Sequence, residues 1–344
     1  MTEKNAEYWR NRFWKLEELQ HKKVVKYDKQ LERAYTRTLD AIEKDLLKWY
    51  NRFAENNSIT LQEARKRLNA GELREFKFTV DEYIKYAKEN AINGQWIKQL
   101  ENASARVHIS RLESLFIQFS NHANILYDGQ LQGLSELLED SYLEQYNRVA
   151  YIVQTGTNVA FPLAAINEGA IQTIIAKPWA SDGINFSERI YRDRTQLVSI
   201  LQTELIQAIQ LGEGVDVTAR RLKDRLGVSY RNAVRLVQTE ETAILSRANG
   251  YALKELSVDR YQYVATLDSR TSDICQTFDL QIFDINQYEA GVTAPPLHVN
   301  CRSTTAPYFE DVDYGERAAR DRDGRTVYLP GNTSYAEWKE KYGV

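Results

Sequence analysis

The most constraining feature of this sequence is a long stretch without proline or glycine, from Tyr8 to Phe53. Apolar side chains recur through it at intervals of three and four residues, the spacing that places them on one face of an α-helix. The recurring residues are Trp9, Phe13, Leu16, Leu19, Leu31, Tyr35, Leu39, Ile42, Leu46, Trp49 and Phe53. The pattern predicts one long amphipathic helix, or two in sequence with a break between Lys22 and Lys26.

The same helical pattern continues through the rest of the N-terminal half. Two capping boxes, Thr60 with Glu63 and Thr79 with Glu82, predict helices over Leu61–Ala70 and Val80–Glu89. Glycine-containing pairs predict breaks at Asn93-Gly94 and Asp128-Gly129. Further along, Ser187–Leu211 is again amphipathic, and Gly212-Glu213-Gly214 predicts its end.

The helical periodicity ends near Asp259. After it, Tyr261, Tyr263 and Ala265 alternate with other side chains as in a strand. The predicted fold class is therefore mainly α, with long amphipathic helices, a helical middle and a small loop-rich α+β module near the C-terminus. The predicted divisions are a helical region at 1–180, a helical region at 181–260, an α+β Cys/His module at 261–309, and an extended tail at 310–344 with a short helix around Tyr335–Tyr342.

Composition excludes several classes of protein. Two cysteines in 344 residues cannot form a disulfide scaffold, and no apolar run approaches the ~18–20 residues of a membrane span. The charged N-terminus lacks the apolar segment of a signal peptide, so we expect synthesis in the cytoplasm. A net charge of −3 argues against a uniformly basic surface but leaves room for local basic patches.

One such patch lies between Arg220 and Arg235, where six basic residues accompany one acidic residue. They are Arg220, Arg221, Lys223, Arg225, Arg231 and Arg235. A capped short helix, a turn at Gly227 and a second helix together resemble a helix-turn-helix. Three interpretations remain open: non-specific contact with DNA phosphates, sequence-specific DNA reading, and a structural corner in a helical domain.

The second cluster of reactive side chains is Cys275, His298 and Cys301, all in the C-terminal quarter. Two thiols and an imidazole, with His-x-x-Cys spacing, can bind a structural zinc, and Asp268, Asp273, another carboxylate or water would supply the fourth ligand. Three alternatives stay open: plain packing of buried side chains, a Cys275–Cys301 disulfide, and a Cys275/His298 nucleophile pair.

These motifs together resemble the MuF-type minor head proteins of tailed phages, also called the phage head morphogenesis family. The resemblance covers about residues 187–344. Its parts are Asp268-x-Arg270-Thr271-x-x-x-Cys275, the string Pro295-Pro296-Leu297-His298-x-Asn300-Cys301-Arg302, the segment Val237-Gln238-Thr239-Glu240, and Ser334-Tyr335-x-x-Trp338. Gln238 stands where the family usually has Arg.

The resemblance implies a virion protein in few copies, located in the capsid interior near the portal and synthesised in the host cytoplasm. It implies the portal protein as a partner, with the scaffold or major capsid protein as further partners. It also implies non-specific contact with packaged double-stranded DNA and a role in genome ejection. The N-terminal helices would then contact the portal or capsid.

Two functions of other classes remain as alternatives. MuF-type modules also occur beside toxin or effector domains, so an enzyme built around Cys275 and His298 is one. We nevertheless expect no enzyme, because only a short tail follows Cys301 and the N-terminal half lacks Gly-rich phosphate loops, a His-Glu-x-x-His string and a nucleophile elbow. The other is a helix-turn-helix DNA-binding regulator, which would not need the Cys/His module or the long N-terminal helices.

Overall fold

A computed structural model describes residues 6–56, 111–157, 168–211, 215–309, 316–321, 323, 325–330 and 332–342. In chain order the elements are α1 (Ala6–Asn56), α2 (Arg111–Thr157), α3 (Glu168–Ala176), α4 (Phe186–Leu211), α5 (Val215–Glu255), β1 (Arg260–Val264), α6 (Asp273–Phe278), β2 (Ile282–Asp284), a 3-10 turn (Ile285–Gln287), β3 (Thr304–Tyr308), β4 (Glu316–Arg320), β5 (Thr326–Pro330) and α7 (Tyr335–Tyr342). The predicted helices at Leu61–Ala70 and Val80–Glu89, and the signals at Asn93-Gly94 and Gly212–Gly214, lie outside the described residues.

The predicted fold class is confirmed, because helices dominate the described residues and the strands among them lie in the C-terminal part. The chain forms two compact units that are each discontinuous in sequence. One comprises Met1–Tyr27, Gly133–Phe186 and Val234–Val344, and the other Asp28–Gln132 and Ser187–Ala233. Among the described helices, none combines the length and apolar character that crossing a bilayer requires.

Of the two alternatives predicted for the first helix, the single long helix is confirmed, whereas the break predicted at Asp128-Gly129 is wrong. Helix α1 runs unbroken through Lys22–Lys26, because buried Gln20, Val24 and Tyr27 carry its inward face across that segment. Helix α2 likewise continues through Asp128-Gly129. A glycine inside a helix costs only about 1 kcal/mol relative to alanine, which the buried contacts of a long helix readily offset.

The predicted helix-turn-helix is also wrong, since α5 is one continuous helix from Val215 to Glu255. Its buried stripe passes Gly227 without a change of phase, through Leu222, Leu226, Ala233 and Val237. The glycine that suggested a turn therefore lies inside a helix whose inward face is set by packing on either side of it.

The described part of the second unit contains segments of four helices, which pack around an apolar core. Its buried side chains include Leu31, Tyr35, Ile42, Leu46, Leu115, Phe119, Leu126, Tyr127, Ile190, Leu197, Leu201, Leu205, Leu222 and Leu226. Polar contacts add specificity to this packing. The Tyr127 hydroxyl lies 2.7 Å from Ser229 Oγ, and His122 Nε2 lies 2.8 Å from an Asp45 carboxylate oxygen.

The helical part of the first unit contains a buried polar layer. Gln20 Nε2 donates to Gln145 Oε1 at 3.3 Å, and Gln145 Nε2 donates to Asn249 Oδ1 at 2.7 Å. These bonds join α1, α2 and α5. A buried amide row of this kind fixes which helix faces meet, because any shift would leave polar atoms without partners.

Glu241 is buried beside this layer, with 3% of its surface exposed. Neither of its carboxylate oxygens has a hydrogen-bond partner of normal geometry among the described residues. Burial raises the pKa of Glu241 to about 8, against smaller lowering effects of the Ser141 hydroxyl and the Lys23 ammonium. The folded protein therefore keeps this carboxyl protonated at neutral pH.

The C-terminal part of the first unit begins with an antiparallel sheet of order β2-β1-β3. Strand β1 confirms the predicted alternation, because Tyr261 and Tyr263 are fully buried. Tyr288 packs this module against α5, with its hydroxyl 3.2 Å from Ser246 Oγ on that helix and 2.7 Å from Thr305 Oγ1 on β3. Its ring lies so close to Gly250 that an added Cβ would be 2.5 Å from it, so only glycine fits there.

The described residues between 316 and 342 form a folded extension in place of much of the predicted tail. Strands β4 and β5 pair antiparallel, and the predicted terminal helix is confirmed as α7. Arg317 holds this extension on the module, because its guanidinium contacts both Asp279 carboxylate oxygens at 3.0 Å and donates to the Ala265 carbonyl. Trp338 closes the contact with none of its surface exposed.

The raised pKa of Glu241 predicts a pH-dependent stability. Between its ordinary pKa near 4.5 and its folded pKa near 8, the folded state holds a proton that the unfolded state releases. The stabilisation is therefore complete below the lower value and is lost as pH rises through the upper one, with a slope of at most about 1.4 kcal/mol per pH unit.

Glu241→Gln should remove this pH dependence. The free energy of unfolding of the variant, relative to that of the natural protein, should therefore increase as pH rises from 5 to 8. Urea unfolding at several pH values measures the difference. Glu337→Gln is a suitable control, because that carboxyl is exposed and its pKa is lowered by Ser334. Parallel pH profiles for the natural protein and Glu241→Gln would contradict the prediction.

Candidate metal centre

Local structure brings the two cysteines and the histidine together in the C-terminal module. Cys275 lies in the first turn of α6, where its backbone N–H donates to the Ser272 side chain at the N-cap. Cys301 immediately precedes the segment that leads into β3. His298 lies three residues earlier, in a loop that follows a cis Pro295–Pro296 bond. Both thiols are almost fully buried, at 1% and 2% exposure.

The three side chains converge to ligand distances. Cys275 Sγ lies 3.2 Å from His298 Nε2 and 3.7 Å from Cys301 Sγ, and all three atoms lie within 4.8 Å of one another. Metal–sulfur bonds of about 2.3 Å at a tetrahedral angle place two thiolates about 3.8 Å apart. The sulfur separation therefore fits a shared metal ion, whereas a disulfide bond requires about 2.05 Å, and both cysteines are free.

The histidine ring is oriented for ligation through Nε2. Its Nδ1 lies 2.8 Å from the Val299 carbonyl oxygen, an acceptor that requires a proton on Nδ1. With the proton there, the lone pair of neutral imidazole is on Nε2, which faces Cys275 Sγ. Metal-binding histidines commonly use such a bond from the second ring nitrogen to fix tautomer and direction.

The contact between the two thiols shifts their pKa values in opposite directions. The hydrogen bond with Cys301 lowers the pKa of Cys275, with further lowering from Ser272, Ser303 and Tyr263. The same contact, together with burial, raises the pKa of Cys301. A metal ion would displace the remaining proton, because thiolate is the ligand form of cysteine.

Asp268, the residue predicted as a fourth ligand, has a different partner. Its carboxylate forms a two-point ion pair with Arg302, with Nη2 to Oδ1 at 2.7 Å, and also accepts from the Arg270 backbone N–H. Burial alone would raise the pKa of Asp268, but Arg302 holds it below its ordinary value. Asp268 is not part of the three-residue ligand group, so its ligand role stays a prediction.

The six predicted DNA-contacting residues separate into two sets. Arg221 and Arg225 both bind Glu204, with Nε–O distances of 2.6 and 2.8 Å, so their guanidiniums tie α5 to α4. The remaining four are exposed on α5: Arg220, Lys223, Arg231 and Arg235. Arg220, Lys223 and Arg231 lie within one unit and share one side of the helix by their spacing, and we call these three the basic face.

Sequence reasoning missed several residues around the centre. Tyr263 is fully buried, and its hydroxyl lies 3.1 Å from Cys275 Sγ and 3.8 Å from Cys301 Sγ. Thr239 and Thr242 on α5 contact the loop between His298 and Cys301. Strand alternation placed Tyr263 in the core, but no sequence signal indicated which groups its hydroxyl would meet.

Comparison with known proteins places the residues of this centre within a known family of sequences. Residues 199–306, which contain the basic face and the whole Cys/His/Cys group, match the family described as Phage Mu protein F like protein. The chain is also 27% identical to the minor head protein GP7 of Bacillus phage SPP1 over 312 residues, covering 83% of this chain and 94% of that protein. The two matches support a MuF-type phage head protein. Proteins of this type take part in head morphogenesis and are virion components.

A second similarity is to an NAD(+)–arginine ADP-ribosyltransferase of Enterococcus faecalis, at 25% identity over 207 residues. It covers 56% of the MuF-type chain and only 41% of that enzyme. No solved structure matches the chain.

The terminal motif of this MuF-type head protein has a clear structural role. Ser334 and Glu337 form a reciprocal cap at the start of α7, with Ser334 N donating to Glu337 Oε2 at 2.7 Å. Tyr335 and Trp338 enter an apolar cluster with Leu267, and the Trp338 indole donates to the Arg320 carbonyl at 3.0 Å. The motif therefore docks the extension onto the module.

Proposed function

We propose that this MuF-type head protein is a minor, non-enzymatic component of the capsid interior, bound near the portal in few copies. The observation that carries the proposal is the similarity to the SPP1 minor head protein along nearly its whole length. The portal protein is the proposed main partner, with scaffold and major capsid protein as secondary partners. A role in genome delivery is part of the same proposal.

Contact with packaged double-stranded DNA is proposed for the basic face of Arg220, Lys223 and Arg231. The three side chains are exposed and form no ion pair within the described residues. They span about 16 Å along α5 at 1.5 Å per residue. A helix face of this kind can follow phosphates without reading bases, so we expect binding that is indifferent to DNA sequence.

The Cys/His/Cys group is proposed to hold one structural zinc ion. Cys275 and Cys301 would bind through Sγ and His298 through Nε2, leaving the fourth position for water or a carboxylate. The ion would cross-link α6, the His298 loop and the approach to β3, which lie in a small module with a limited apolar core.

A structural role is favoured over a Cys275/His298 nucleophile by burial. The Cys275 thiol is 1% exposed and lies against the Tyr263 hydroxyl and the Cys301 thiol, which leaves little room for a substrate. The imidazole is oriented by a backbone carbonyl in place of the carboxylate or amide side chain of typical triads.

The portal proposal predicts the composition of assembled heads. Quantitative mass spectrometry of purified particles should find this chain at a few copies per portal ring, and cross-linking should join it mainly to the portal protein. Particles from a phage lacking the gene are the control. Cross-links confined to major capsid or scaffold protein would contradict portal association.

The DNA proposal predicts a weaker salt dependence when the basic face is neutralised. Replacing Arg220, Lys223 and Arg231 together by Gln should reduce the slope of log K against log salt by up to about 2.7, at roughly 0.9 per lost phosphate contact. A triple Gln variant at Lys22, Lys26 and Lys29, exposed on α1, removes the same charge. Equal slopes for the two triple variants would refute a specific role for this face.

The zinc proposal predicts about one zinc per purified chain by elemental analysis. His298→Gln and Cys301→Ser should lose the metal and lower the melting temperature, because metal binding contributes directly to folding free energy. His21→Gln, at an exposed histidine, should retain it. A structural zinc would be excluded if natural protein stripped of metal melted at the same temperature as natural protein supplied with zinc.

The enzymatic alternative is tested with Cys275→Ala and His298→Ala. Loss of a measurable activity in both variants, with folding retained, would favour an enzyme, whereas loss of folding would favour the structural role.

A further inference from the structure

The Gln238-Thr239-Glu240 segment of α5 has no part in the functions proposed above, yet it contacts the loop that carries the imidazole. The backbone N–H of Asn300 donates to Thr239 Oγ1 at 2.8 Å. One turn later on the same helix, Thr242 Oγ1 donates to the Cys301 carbonyl at 3.1 Å. Two hydroxyls three residues apart on α5 therefore hold the backbone of two consecutive residues, Asn300 and the ligand Cys301.

Both hydroxyls are themselves fixed by the helix. Thr239 Oγ1 donates its proton to the Arg235 carbonyl at 2.7 Å, which leaves its lone pairs for the Asn300 N–H. The single hydroxyl proton of Thr242 is shared between the Cys301 carbonyl and the Gln238 carbonyl, the latter 2.9 Å from Oγ1. These hydrogen bonds to the carbonyl four residues earlier fix the rotamers of both threonines. Their Oγ1 atoms therefore face the loop in fixed positions.

The loop needs such support at Asn300. This residue has a φ of +62°, in the left-handed region that side chains other than glycine rarely adopt. It lies between the two ligands His298 and Cys301, so a relaxation of its backbone would turn one ligand away from the other. The Thr239 hydrogen bond opposes that relaxation.

The other end of the loop contacts Trp179, which is hydrogen-bonded to the same helix. The Trp179 indole N–H donates to Glu240 Oε1 at 3.0 Å. The Trp179 carbonyl packs against Gly291, where an added Cβ would approach it to 2.2 Å, and Gly291 has a φ of +92°. Residues 291–301, which include His298, are therefore held at one end by Thr239 and Thr242 of α5 and at the other by Trp179, which is itself bonded to α5.

We propose that Thr239 and Thr242 are positioning residues of the metal centre. They act through the Asn300 and Cys301 backbone to direct His298 Nε2 and Cys301 Sγ at a common point. The inference rests on the proposed metal function, and it assigns to α5 the control of ligand geometry. Partners that orient ligands typically change metal affinity 10- to 100-fold when they are removed.

The test uses full-length protein with zinc, and with cobalt(II) as a spectroscopic substitute. Thr239→Val and Thr242→Val should each weaken zinc binding, measured by chelator competition, by about 10- to 100-fold, and should change the cobalt ligand-field bands. Thr239→Ser keeps the hydroxyl and should restore both natural values. Thr195→Val is the matched control, because Thr195 makes the same back-bond to Tyr191 without touching the loop.

The outcomes separate this inference from the zinc proposal. Natural protein that binds neither zinc nor cobalt overturns both. Natural protein that binds zinc, with unchanged affinity and cobalt spectrum in the two Val variants, overturns only the positioning role. If Thr239→Val fails to fold, the Thr242→Val and Thr239→Ser pair decides, because weakened binding in the first and natural binding in the second support the proposal.

Discussion

The unbroken packing of helix α5 is the constraint on which much of the remaining structure depends. Its buried stripe supplies Leu222 and Leu226 to one compact unit and Ala248 and Ala252 to the other. Its polar positions bind Glu204 near one end and the His298 loop near the other. Because the helix does not break at Gly227, the register of its inward-facing side chains continues past that glycine.

The Cys/His/Cys group shows how a small module can gain order from polar groups. Its apolar cluster contains few large side chains besides Tyr263 and its aromatic neighbours Phe278 and Phe283. The buried Arg317–Asp279 pair and the Asp268–Arg302 pair link segments that the sheet alone does not join. Charges in such sites are retained only where hydrogen bonds satisfy them, and each carboxylate here accepts at least one backbone or side-chain donor besides its ion-pair partner.

Sequence patterns predicted elements well where one local signal dominates. The periodicity of α1 and α4, the alternation in β1, and the short helix at Tyr335–Tyr342 are all confirmed. The Gly227 turn and the break at Gly129 are wrong, because a weak local preference there competes with long buried stripes. The β4–β5 hairpin was not predicted, because charged residues dominate that segment. The few apolar side chains that pack against Trp338, among them Ala319 and Leu329, form no clear alternating pattern.

By itself, the sequence determined the mainly helical class, the resemblance to MuF-type head proteins, and the three side chains that form the candidate metal centre. These depend on residue identity and spacing, which are visible along the chain. Only the tertiary structure decided that Arg221 and Arg225 bind Glu204, that Asp268 binds Arg302, and that Thr239 and Thr242 hold the His298 loop. Those partners are 17 to 61 residues apart, and their pairing follows from which helix and loop faces meet when apolar surface is buried.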